Sequence, residues 1–184
     1  SGLRTEQWEA CEGLVGLEVW NAGCELEIGR GDSSSHWDEA LERGRPLFAL
    51  ATDDSHNPGY DSGFAWTMVR AAERTQEAVL DALRTGAFYG STGPELEAVD
   101  VTDDAITVRC SPAASVTLFA GRHRGARVNA GRLGYPHNGQ ILERDHAGLI
   151  TACRLERPWD SSYGRVEVAD PSGRRAWTNP LWIA

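Results

Sequence analysis

The spacing of apolar residues changes once along this chain, near residue 95, and that change restricts the fold more than any single motif. Before it, short apolar runs alternate with segments whose apolar residues recur every three or four positions. That alternation of strand and helix patterns is the rhythm of an α/β unit. After it, short alternating runs separated by turn signals continue to the end, as in an antiparallel sandwich or small barrel. The expected fold class is therefore α/β followed by all-β, with units at 1–95 and 96–184.

The first unit can be followed in detail. Residues 5–12 predict a short helix, and Leu14 to Trp20 a compact strand ending at Asn21-Ala22-Gly23. A Gly-, Asp- and Ser-rich loop runs from Gly29 to Ser35. Ser35 reads as the N-cap of a helix with Asp38 and Glu39 in its first turn, where the helix dipole favours acids, and Gly44 stops it. Leu47-Phe48-Ala49-Leu50-Ala51 is apolar throughout, the signature of a parallel strand covered on both faces. It runs straight into Asp53-Asp54-Ser55-His56. Phe64 to Val69 predicts another strand. Thr75 caps a helix from Gln76 to Arg84 with Ala78, Val79, Ala82 and Leu83 on one face, Gly86 ends it, and Phe88-Tyr89 begins the next strand.

Beyond residue 95, strands are expected at about 96–101, 105–110, 114–120, 147–155, 163–169 and 175–183. Alternation is clearest in Ile106-Val108-Cys110, Val116-Leu118 and Val166-Val168. Asp103-Asp104, Asp145-His146 and Asp170-Pro171-Ser172-Gly173 mark turns.

Composition removes several function classes. The net charge of −9 disfavours generic nucleic-acid binding, which needs clustered positive charge. All 18 basic residues are arginines, so neither a P-loop lysine nor a Schiff-base lysine is available in this chain. No apolar run approaches the length of a membrane span. Ser1-Gly2-Leu3 opens no secretory signal, and Cys11, Cys24, Cys110 and Cys153 lack metal or disulfide-scaffold spacing. The expected setting is cytoplasmic, with free thiols.

Asp54 and His56 carry the chemistry. A carboxylate and an imidazole two residues apart, just past a buried strand, can share one divalent Mn, Zn or Fe ion. Such strand ends are where active sites of α/β proteins gather. The competing reading is a loop capped by Asp side chains. A pair cannot hold a catalytic metal alone, because three or more protein ligands are usual. Gly90-Ser91-Thr92-Gly93-Pro94 reads as a structural turn against a phosphate cradle. Arg122, Arg124, Arg127 and Arg132, with His123, form a basic cluster, read either as a solvated loop or as a contact for phosphate or an acidic partner. Trp159, Trp177 and Trp182 suit core or interface anchors.

In order along the chain stand Gly16-Leu17-Glu18-Val19-Trp20-Asn21, Trp37-Asp38-Glu39-Ala40-Leu41, Ala51-Thr52-Asp53-Asp54-Ser55-His56, Phe88-Tyr89-Gly90-Ser91-Thr92-Gly93-Pro94 and Gly173-Arg174-Arg175-Ala176-Trp177-Thr178-Asn179-Pro180. This series resembles the C-terminal portion of the polymerase and histidinol phosphatase (PHP) superfamily. The resemblance implies a partial PHP-type (β/α) barrel over 1–95, with an antiparallel β-sandwich-like domain over 96–184. It implies metal-dependent hydrolysis of a small phosphorylated metabolite or nucleotide, with Mn, Zn or Fe in the complete protein. Asp54 and His56 would be metal ligands. Asp53, Glu18 and Asn21 would be supporting or structural residues, and Arg122 and Arg124 phosphate contacts.

The family's opening His-x-His and its middle His and Glu ligands have no counterpart here. The expectation is thus a fragment that binds metal weakly and hydrolyses little alone. A part-barrel exposes strand edges and apolar surface, which opens a route to a homodimer. The rival reading is a non-catalytic β-domain that binds a partner, with Asp54 and His56 a relic.

Overall fold

The computed structural model describes residues 5–121, 124–131, 136–158 and 160–182. The chain is mostly β, with antiparallel sheets, and it divides into two compact units between Gly90 and Ser91 rather than after residue 95. The elements of the first unit are α1 (Thr5–Glu9), β1 (Gly16–Asn21), α2 (Ala22–Ile28), α3 (Ser34–Glu42), β2 (Phe48–Thr52), β3 (Trp66–Val69), α4 (Gln76–Thr85) and β4 (Phe88–Ser91). Those of the second are β5 (Leu96–Val101), β6 (Ala105–Ala113), β7 (Ser115–Ala120), β8 (Arg124–Asn129), β9 (Gly139–Arg144), β10 (Ile150–Glu156), β11 (Tyr163–Ala169), β12 (Arg175–Thr178) and β13 (Leu181–Trp182).

In the first unit β1 and β2 pair in parallel, joined by the crossover through α2 and α3. Parallel strands need such a crossover because a tight turn can only reverse direction. The register slips between Glu18 and Trp20, leaving a bulge at the end of β1. Trp37, Ala40 and Leu41 of α3 are buried, and the Trp37 indole N–H donates to the Leu47 carbonyl at 2.7 Å. β3 is tied to β2 by a side chain: the Thr67 hydroxyl donates to the Ala51 carbonyl at 3.0 Å and accepts its N–H at 3.3 Å. β3 and β4 are neighbours in one sheet. Gly90 makes a close approach, because a Cβ there would sit 3.0 Å from the Ala51 methyl.

The helix signals held in part. Thr75 caps α4 by accepting from the Ala78 N–H at 3.3 Å, and Gly86 closes it in the left-handed region. Ser35 is not an N-cap, because α3 already begins at Ser34. There the Asp32 carboxylate accepts from both the N–H and the hydroxyl of Ser34, which fixes the helix start earlier. Asp38 and Glu39 consequently lie past the first turn. On α4, Ala82 is buried but Val79 is 36% exposed, so the packed face is narrower than its apolar pattern. A helix absent from the sequence reading, α2, follows β1 directly. Asn21 caps it by accepting from the Cys24 N–H at 2.7 Å.

In the second unit, two antiparallel sheets, β5-β6-β10-β9 and β12-β11-β7-β8 with β13 beside β11, share one core. Ile106, Val108 and Cys110 from one sheet meet Val116, Leu118, Val166 and Val168 from the other. These are the positions the alternation singled out. Each fully buried Val, Leu or Ile stabilises the fold by about 1.5–3 kcal/mol. Two strands, β8 and β9, were not expected. The arginine segment that reads as a polar loop is partly strand, because Ala126 and Val128 point into the core while Arg127 between them points outward; Arg124 is exposed where the strand begins. Gly125 is forced by packing, since a Cβ there would lie 2.3 Å from the Leu118 carbonyl oxygen. No described helix is long and apolar enough to cross a membrane.

Candidate functional site

The parallel register of β1 and β2 sets Asn21 opposite Thr52, so the C-terminal ends of the two strands lie side by side. There the Asn21 side-chain amide donates to two carboxylates at once, Glu18 at 2.9 Å and Asp54 at 3.1 Å. Its carbonyl oxygen meanwhile caps α2, so the amide is oriented and cannot flip without losing all three bonds. The Thr52 hydroxyl donates to the other oxygen of Glu18. Glu18 and Asp54 are both exposed. Two carboxylates held within bonding reach of one nitrogen repel each other and would welcome a cation.

Asp54 takes a left-handed backbone, with φ of 52°. Among non-glycine residues Asp and Asn tolerate this best. The turn is imposed from both sides. The Gly23 N–H donates to the Asp53 carbonyl at 2.9 Å, and a Cβ on Gly23 would lie 3.1 Å from that oxygen.

The Asp53 carboxylate accepts the N–H groups of Gly63 at 2.6 Å, Phe64 at 2.8 Å and Ala65 at 2.8 Å. Desolvation is the largest single influence on it and pushes its pKa up. The amides of Gly63, Ala65 and Phe64 together outweigh this and hold it below the ordinary carboxylate range. Both oxygens of Asp53 are therefore committed to backbone, and its role is to close the 53–65 loop.

Asp61 does the same for the loop's middle, and nothing in the sequence reading singled it out. It accepts from the Ser55 hydroxyl at 2.6 Å, the His56 N–H at 2.8 Å and the Asn57 N–H at 2.9 Å. The Ser55 bond first, then those amides, lower its pKa against desolvation. Its only sequence signal is an Asp three residues after Asn57-Pro58, where a side chain can cap a turn.

Of the residues expected at the site, Glu18, Asn21 and Asp54 come together. Asp53 stands behind them as a structural residue. His56 is exposed and anchored through its backbone N–H to Asp61, and its imidazole is not part of the Glu18–Asn21–Asp54 network. Arg124 is on β8 and pairs with Asp160 at 2.9 Å, while Arg122 lies outside the described residues, as do His123, Arg132 and Trp159. The Gly90–Pro94 segment is a turn closed by buried Ser91, which accepts from the Gly93 N–H at 2.9 Å and donates to the Pro94 carbonyl at 2.7 Å.

Comparison with known protein families, with curated proteins and with solved structures finds no match. The functional reading thus rests on the residues themselves. Among the described residues no three His, Cys, Asp or Glu side chains are grouped to hold a metal ion. Glu18 and Asp54 offer oxygen donors suited to Mn or Mg-like cations, but by themselves they do not form a closed centre.

Proposed function

We propose that the first unit carries one corner of a divalent-metal site of a phosphoesterase, with the remaining ligands supplied from outside the described residues. The finer fold reading goes with it: a partial PHP-type barrel followed by a β-sandwich-like domain. The observation that carries the proposal is the sharing of the Asn21 amide by Glu18 and Asp54 at the ends of two parallel strands. Strand ends of this kind gather catalytic groups because loops there can vary without disturbing the sheet. A strained left-handed Asp at the same point adds support, since such strain collects at functional sites. The substrate class is a small phosphorylated metabolite or nucleotide. When bound, divalent ions supply hydroxide near neutral pH and neutralise phosphoryl charge.

In this chain, Asn21 fixes the separation of the carboxylates, and Asp53 and Asp61 hold the loop that presents Asp54 and His56. The reading assigns Asp54 and His56 as ligands, with Glu18 beside them. The test is a Mn(II) titration followed by paramagnetic broadening of assigned NMR signals. Residues 18, 21, 54 and 56 should broaden first, and Asp54→Asn should abolish that priority. Broadening that begins elsewhere and spares these four overturns the assignment. Hydrolysis of a generic aryl phosphate by the chain alone should stay near background.

A further inference from the structure

We infer that Asn138 is a site of spontaneous deamidation in the folded protein, through attack of the Gly139 backbone nitrogen on its side chain. The chain has asparagine at 21, 57, 129, 138 and 179, and Asn138 alone precedes glycine. Asn57 and Asn179 precede proline, which has no N–H to give up, and Asn21 and Asn129 precede alanine, whose methyl crowds the attack. Glycine leaves the nitrogen open.

The fold favours this dipeptide for two separate reasons. Residue 138 has φ of 50°, a conformation that asparagine tolerates and most side chains resist. Residue 139 is tightly packed: a Cβ would lie 3.0 Å from a Val128 methyl and 3.1 Å from a Leu155 methyl, so those side chains would have to shift. The sequence could not exchange either residue freely, so the labile pair is a consequence of packing.

Folding often protects an asparagine by burying its amide or locking the next N–H into a ladder. Neither protection operates here. Asn138 is exposed. Its carbonyl accepts the Glu156 N–H at 2.8 Å, which makes residues 138 and 156 a bonded pair of the antiparallel ladder. Gly139 opposite Leu155 then falls in the following non-bonded pair, so its N–H points away from β10. β9 is the last strand in the order β5-β6-β10-β9, so no strand of that sheet takes up this N–H. The neighbouring His137 is held by two backbone bonds to Arg127, at 2.8 and 2.9 Å, and sets its Nε2 atom 3.3 Å from the Asn138 side-chain nitrogen. In that contact the amide N–H donates to Nε2, and once that nitrogen is a departing amine the same imidazole, in its protonated form, can return a proton to it.

The chemistry balances with water as the only co-reactant. The Gly139 nitrogen loses its proton and bonds to Cγ of Asn138. The Cγ–Nδ2 bond breaks and ammonia leaves with a proton. Water then opens the five-membered imide at either carbonyl, giving aspartate or isoaspartate at 138. The isoaspartate form adds one carbon to the main chain between His137, fixed to β8, and Gly139, fixed opposite β10.

The experiment is incubation of the folded chain at mildly alkaline pH beside a urea-unfolded sample, followed by peptide mass mapping. The folded chain should lose the amide of Asn138 at a rate comparable to the unfolded one, while Asn21 and Asn129 keep theirs. Retention of the Asn138 amide in the folded chain, with loss in the unfolded, overturns the inference. Asn138→Gly suits the left-handed backbone and should remove the acidic product. An acidic product that persists in that variant also overturns it. His137→Gln should slow conversion in the folded chain only, and an unchanged rate removes the proton-transfer role.

Discussion

Val108, Leu118, Leu155 and Val166 of the second unit are hidden from solvent between two sheets, whereas Val15, Leu26, Ile28 and Met68 of the first unit remain 43–65% exposed. The second unit closes its own core: β6, β7, β8, β10 and β11 turn apolar residues inward and the two sheets cover each other, with Val101, Leu142 and Trp182 left exposed outside it. The first unit has a parallel pair and three short helices beyond α1, and its own elements leave apolar side chains uncovered. Its order at the functional end comes instead from polar bonds, with Asp53, Asp61 and Asn21 each satisfying several backbone or side-chain groups. The difference teaches that the units should fail for different reasons: one by losing volume, the other by losing a carboxylate or an amide.

The largest expected effect is in the second unit. Leu155→Ala, at a fully buried position, should cost about 2–5 kcal/mol, read as a lowered urea midpoint. A cost below about 1 kcal/mol would mean that the two sheets are not one close-packed core. In the first unit Asp53→Ala should cost about 1–3 kcal/mol, because three amides lose a charged acceptor, although solvent near the loop softens the loss. Hydrogen exchange should show it as faster exchange at Gly63, Phe64 and Ala65 before any global change. Asn21→Ala should cost about 1 kcal/mol through the lost cap of α2, and it should also weaken Mn(II) broadening at Asp54 by freeing the two carboxylates to move apart.

Titration separates the units by sign. Burial pushes the thiols of Cys110 and Cys153 up to about 11 and about 12. A folded pKa above the unfolded one gives stability that is fully present below the unfolded thiol pKa and declines as pH rises towards the folded value. The second unit should therefore weaken between the ordinary thiol range and about pH 11, and Cys110→Ser/Cys153→Ser should flatten that slope. Asp53 behaves oppositely: its folded pKa is depressed, so its contribution holds above the ordinary carboxylate range and disappears as pH falls through the lowered value. Monitoring a core amide and the Gly63 amide in one pH series tests both signs. The smallest effect is Arg109→Gln, which breaks a half-exposed pair with Glu143 at 2.8 Å and should leave the urea midpoint unchanged.

Much of this was legible in the sequence where the physics is local. Thr75 and Gly86 bracket α4 because capping needs only neighbours. The inward positions of β6, β7 and β11 follow from alternation alone. The arginine segment misled because charge dominated its composition, while Ala126 and Val128 are too small and too few to signal a strand by themselves. α2 escaped notice because Asn21, which ends a strand, also begins a helix.

The sequence by itself determined that the chain is rich in β-strands with antiparallel pairing in its later part, where the turns at Asp103, Asp145 and Asp170 fall, and that Asp54 follows an apolar strand. Those depend on period, capping and backbone conformation, which act within a few residues. Only the tertiary structure decided that Glu18 and Asp54, 36 positions apart in the chain, share the Asn21 amide, that Asp53 spends both oxygens on loop backbone, and that Asn138 is exposed while Gly139 is tightly packed. Each is a meeting of distant segments set by strand register and packing, and no local pattern encodes a register.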